Sequence, residues 1–81
     1  MITQSSHTTP APAPSEQGTH HWILTLEIPG RAAATQFGTW NPHPGSTRLD
    51  VFLAIRQKIT AQYPELANAT VGFFSLESNQ L

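Results

Sequence analysis

In Trp22-Ile23-Leu24-Thr25-Leu26-Glu27-Ile28 every even position is large and apolar, while Thr25 and Glu27 are polar. This period of two puts the even side chains on one side of an extended chain and predicts a strand with one buried face. Pro29-Gly30 supplies turn chemistry, proline fixing φ and glycine accepting a positive φ. Arg31-Ala32-Ala33-Ala34 fits a loop or the start of a strand. Residues 35–40, Thr-Gln-Phe-Gly-Thr-Trp, are rich in β-branched and aromatic types and predict the second strand of a hairpin.

The period then changes. Pro42 and Pro44 cannot continue a ladder and Gly45 frees the backbone, so residues 41–46 read as a loop. Thr47 is a good N-cap with Asp50 three residues on, a capping box with Asp in the usual Glu place. Asp50 also sits in the first turn, where the helix dipole favours negative charge. Val51, Phe52, Ile55 and Ile59 recur at helical spacing, with Arg56, Gln57, Lys58 and Gln62 mostly on the other side. Pro64 ends this helix near Tyr63. After a connection, Val71–Glu77 reads as a third strand.

The predicted fold class is therefore α+β, in the order β-β-α-β: a three-stranded sheet with one helix packed on one face. Residues 20–81 form this small domain. Residues 1–19 are mostly Ser, Thr, Pro, Ala, Gln and Gly, with only Met1 and Ile2 as large apolar groups, and are expected to be a disordered leader. Within it, Pro10-Ala11-Pro12-Ala13-Pro14 favours extended polyproline II and is expected to act as a solubilising leader rather than a peptide ligand.

The helix needs one sheet face, and Trp22, Leu24, Leu26 and Ile28 are its natural counterpart. The opposite face has no second helix. Ile23 opposes the Trp22 set, Phe37 and Trp40 are an odd number of residues apart, and Phe73 and Phe74 must divide between the faces. At least three large apolar groups are thus expected away from the helix. The candidate interface residues are Ile23, Phe37, Trp40 and Phe74, parity leaving open which side carries Trp40 and Phe74. A bulge at Gly38 would return Trp40 to the core side.

Charge sharpens this picture. Only 11% of the 81 residues are charged and the net charge is −1, against a usual charged share of about a quarter. Residues 20–81 hold four acids (Glu27, Asp50, Glu65, Glu77) and four bases (Arg31, Arg48, Arg56, Lys58), so the domain is formally neutral. The absence of cysteine excludes disulfide staples, thiolate zinc sites and cysteine nucleophiles. A neutral domain of about sixty residues without staples is marginal alone. With an apolar sheet face it is expected to self-associate, most simply as a homodimer, or to bind a protein partner. The competing expectation is that loop 29–34 or the 64–70 connection folds over that face. No targeting segment and no apolar run of spanning length is evident, so the expected location is cytoplasmic, with no membrane partner. Asn68-Ala69-Thr70 has the glycosylation pattern, but without a secretory signal it is not expected to be used.

Reactive chemistry is sparse. His7, His20, His21 and His43 are the main candidates, and adjacent His20 and His21 point to opposite faces of a strand. No third metal ligand is placed beside His43, so no metal and no cofactor are expected. The carboxylates are dispersed, and capping explains Ser46 and Thr47 beside His43, so no catalytic residues are assigned and the chain is read as non-enzymatic. A phosphate at the Gly45–Arg48 helix start is opposed by Asp50. A single-stranded nucleic-acid binder stacking bases on Trp22, Trp40, Phe37, Phe73 and Phe74 is the alternative reading. Four dispersed cations make a poor phosphate groove, so nucleic acid is the less expected partner.

The strand "HHWILTLEIPG", the helix opening "PGSTRLDVFLAI" and the ending "VGFFSLESNQL" together resemble small uncharacterised actinobacterial proteins with a Ser/Thr/Pro-rich leader and a short α+β body. The resemblance covers residues 20–81. It implies a cytoplasmic accessory protein of a high-GC bacterium or its mobile elements, and it carries over no functional residues.

Overall fold

The computed structural model describes residues 16–81. It contains β1 (His20–Ile28), β2 (Ala32–Trp40), α1 (Arg48–Gln62), a 3₁₀ turn (Pro64–Leu66) and β3 (Thr70–Ser78). This is the α+β order expected, β-β-α-β, with a three-stranded sheet and one helix on one of its faces. The strands are all antiparallel to their neighbours and stand in the order β2-β1-β3. The first of these strands in sequence, β1, is therefore the middle of the sheet. The Pro10–Pro14 segment and His7 lie outside the described residues.

Two Pro-Gly turns shape the path. Arg31 N–H donates to Ile28 O at 2.9 Å, and Ser46 N–H donates to His43 O at 3.0 Å. In both turns proline takes the second place and glycine the third, with φ of 74° at Gly30 and 87° at Gly45. That is the signature of a type II turn, which needs a positive φ at its third residue. The first turn closes the β1–β2 hairpin, and the second delivers the chain to α1. There Thr47 Oγ1 accepts from Asp50 N–H at 3.1 Å, and Asp50 Oδ2 accepts from Thr47 N–H at 3.0 Å. Both halves of the capping box are present.

The core lies between β1 and α1. Trp22, Leu24 and Leu26 point to the helix and meet Val51, Ile55 and Ile59, all buried. Leu24 and Ile55 are fully enclosed, at 0% exposure. Leu66 and Ala69 close the far end. Trp22 opposes Gly38 in the ladder, and a Cβ at Gly38 would lie 3.2 Å from the Trp22 ring. The missing side chain makes room for the indole. Its Nε1 is buried without a hydrogen-bond partner, so the hydrophobic gain of this ring is reduced by an unpaired donor. At the β3 edge of the same core, Phe52 and Phe74 meet edge to face with centroids 5.1 Å apart.

The domain reaches further toward the N-terminus than residue 20. Gly18 N–H donates to Thr39 Oγ1 and Thr19 N–H to Asn41 Oδ1, both at 2.9 Å. Asn79 N–H donates to Thr19 O at 2.9 Å, and its side-chain amide donates to Gln17 Oε1 and Gly18 O. Composition alone assigned residues 17–19 to the leader because they lack apolar side chains. Backbone and amide hydrogen bonds attach them.

Two stability outcomes are expected. Thr47→Ala should cost about 1 kcal/mol in urea denaturation, the usual loss of an N-cap. A Cβ at Gly18 would lie 2.7–2.8 Å from Trp40 backbone atoms. Gly18→Ala should therefore cost about 1–3 kcal/mol, as overpacking does, although the residue precedes the first strand. A Gly18→Ala melting temperature equal to wild type would show that residues 17–19 are not part of the folded unit.

Candidate interaction face

Every residue of β1 is registered against β2, and His20–Glu27 against β3 as well, which assigns the faces. Opposite partners in an antiparallel ladder project to the same side. On the side away from α1, Ile23 opposes Phe37 of β2 and Ser75 of β3. The next row is Thr35, Thr25 and Phe73. Beyond these come Thr39, His21 and Glu77 at one end, and Ala33, Glu27 and Thr70 at the other. The two phenylalanines thus sit diagonally across the centre, with ionisable side chains at the ends. Phe37 is 73% exposed and Phe73 54% exposed; Ile23 is half-buried between its neighbours.

Of the four interface candidates, Ile23 and Phe37 stand on this open face. Trp40 and Phe74 do not. Trp40 pairs with His20, packs against the core, and carries Lys58 Nζ 5.9 Å from its ring centroid. The β1–β2 register runs unbroken from His20↔Trp40 to Ile28↔Ala32, so there is no bulge at Gly38. None is needed, because Gly38 opposes Trp22 and Trp40 shares that side by parity. Phe74 pairs with Leu24 and packs on Phe52. Phe73 is the open-face member of its pair and was missed. The signal was present: Phe74 and Leu76 repeat the large-apolar alternation of β1, leaving Phe73, Ser75 and Glu77 to face outward. The register shift lies in the β1–β3 ladder, between Thr25 and Leu26, where Thr25 pairs with Phe73 but Leu26 with Val71.

The hydroxyls of this face are partly paired within it. Thr25 Oγ1 and Thr35 Oγ1 share a hydrogen bond of 2.8 Å across β1 and β2. The cations are elsewhere: Arg31, Arg48, Arg56 and Lys58 all lie outside the three strands. Arg56 Nη2 donates to Ala67 O at 3.0 Å and Ala69 O at 3.4 Å, fastening the connection after α1.

The histidines divide as expected. His20 stands on the helix side with Nδ1 2.9 Å from Thr19 Oγ1, and His21 stands on the open side. His43 lines a cleft with Trp40, Asn41, Ser46 and Asp50. Among the described residues, no group of three or more His, Cys, Asp or Glu is placed to hold a metal ion, and no helix is long and apolar enough to cross a membrane. No protein-family model, curated protein or solved structure matches the chain.

This placement separates two substitutions that sequence parity could not. Phe37→Ser should leave the denaturation midpoint nearly unchanged, within about 0.5 kcal/mol, as for an exposed site. Phe74→Ser should cost about 2–4 kcal/mol, because it removes half of an aromatic pair at the edge of the core. Equal losses at the two positions would contradict the face assignment.

Proposed function

We propose that this chain is a non-enzymatic interaction or assembly module that self-associates through the sheet face opposite α1. The observation that carries the reading is the diagonal of Phe37, Ile23 and Phe73 across the open face, with both phenylalanines more than half exposed. A bare apolar centre bordered by His21, Glu27 and Glu77 has the anatomy of an interface, apolar within and polar at its rim. The Thr25–Thr35 hydrogen bond satisfies one of the two O–H donors within the face, so covering the centre leaves only one hydroxyl donor to be met. Charge supports the same direction, since a neutral domain does not repel its own copies. A C2 homodimer with the sheets packed face to face is the simplest form, and a cytoplasmic setting is part of the proposal.

The nucleic-acid reading is weaker on this geometry. Phe37 and Phe73 could stack bases, but no Lys or Arg belongs to β1, β2 or β3 to meet the phosphates.

Sedimentation across a concentration series tests the proposal. Wild type should increase in mass as concentration rises, while Phe37→Ser and Phe73→Ser should remain folded and shift toward monomer at equal concentration. Raising salt should leave apolar association unchanged or strengthened, whereas a phosphate-bound complex would weaken steeply. A wild-type mass that stays monomeric at the highest concentration reached would end the self-association reading.

A further inference from the structure

The edges of the sheet offer a route to association distinct from its face. With β1 in the middle, β2 and β3 are the edge strands, and among the described residues no strand pairs with the outer side of either. The two edges are not equivalent. The β3 side carries the register shift opposite Thr25 and Leu26, and a charge at Glu77. Bulges and charged residues are devices that discourage edge pairing. β2 has neither. Its nine residues, Ala32–Trp40, include no charged residue and no proline, and its ladder with β1 is regular throughout. The helix side is also thinly covered here: Ala32, Ala34 and Gln36 border a cleft of about 250 Å³ against Tyr63 and Leu66.

We propose that β2 pairs edge to edge and antiparallel with β2 of a second copy of this chain, about a twofold axis normal to the sheet near Gln36. Gln36 is the midpoint of Ala32–Trp40, so an axis there overlaps the whole strand with its symmetry mate. Rotation about the sheet normal keeps the faces on their own sides. Both helices then cover one side of the continuous sheet, and the two open faces merge on the other.

Area favours a second copy as the occupant. Three strands of nine residues make a face of roughly 14 by 30 Å, about 400 Å². A standard interface covers about 800 Å² per partner, so a single open face is half that size. Joining two sheets along β2 doubles the footprint to about 800 Å², enough for the merged face to serve as a full interface. The edge contact and the face contact use different surfaces; a face contact between single copies is a small interface of about 400 Å² per partner, and edge pairing doubles it.

Because the chain has no cysteine, single cysteines report the pairing cleanly. Thr35→Cys, Gln36→Cys and Phe37→Cys, with Thr25→Cys on the central strand as control, are placed in a Phe73→Asp background that removes the face contact but leaves β2 intact. Each variant is first checked for native circular dichroism, then oxidised mildly at tens of μM. At a self-opposed position the two Cα atoms stand about 4.5–5.5 Å apart, within disulfide reach. Gln36→Cys should yield a reducible dimer at least about tenfold faster than Thr25→Cys, since pairing raises the local thiol concentration into the mM range. Faster linkage confined instead to Thr35 or Phe37 would support the same pairing with its axis moved by one residue. Equal rates at all four positions, or no linkage above the control, would overturn edge pairing. Loss of wild-type self-association on Phe73→Asp alone reports on the face reading and not on this one.

Discussion

The contact between the even residues of β1 and one side of α1 holds the rest of the molecule in place. Leu24 and Leu26 of the strand and Ile55 of the helix are the most enclosed large side chains. No disulfide can substitute for them, since the chain has no cysteine. β1 also carries both ladders, so a single strand supplies the apolar floor of the core and the template for both edges. Burial of one face of β1 fixes its register, because a slip of one residue would turn Trp22, Leu24 and Leu26 toward solvent. The open face is then determined as well. Once the even residues are committed to the helix, Ile23 and Thr25 have only the other side.

Much of this was legible in the sequence because the relevant forces are local or strictly periodic. Alternation in β1, helical spacing from Val51 to Ile59 and the Pro-Gly turns each depend on a few neighbouring residues. The capping box at Thr47 and Asp50 was readable for the same reason. Positions that depend on pairing were harder. Trp40 and Phe74 are large aromatics in strands, but their side depends on which residue of β1 they oppose. For Phe74, weighing Leu76 beside it would have resolved the question. For Trp40, Gly38 drew attention as a possible bulge, whereas its role is steric: it lies under the Trp22 ring. Residues 17–19 were unreadable for another reason. Their attachment comes from hydrogen bonds to Thr39, Asn41 and Asn79, and such bonds leave no mark on hydropathy.

The few charged groups whose contacts are defined serve the scaffold. Asp50 completes the helix cap, Arg56 secures the backbone after α1, and Lys58 lies over Trp40. These tasks keep three charges in the helical layer and away from the open face. A charge-poor composition therefore has two consequences with one origin. It leaves the centre of the open face to Phe37, Ile23 and Phe73, and it leaves β2 without the lysine or glutamate that would deter another strand.

Size makes those consequences matter. A domain this small exposes a large fraction of its chain and draws limited stability from a one-sided core. Apolar side chains on the second face contribute little while exposed, and they occupy positions where threonine or lysine would fit a strand equally well. Burial against another copy would convert them from a liability into a second core, built on the back of the sheet that supports the first. The Thr25–Thr35 pair eases that arrangement, because one of its two O–H donors is already bonded within the sheet before water is excluded. On this view the helix and the partner copy are alternative solutions to one problem: each covers one side of a sheet that has two.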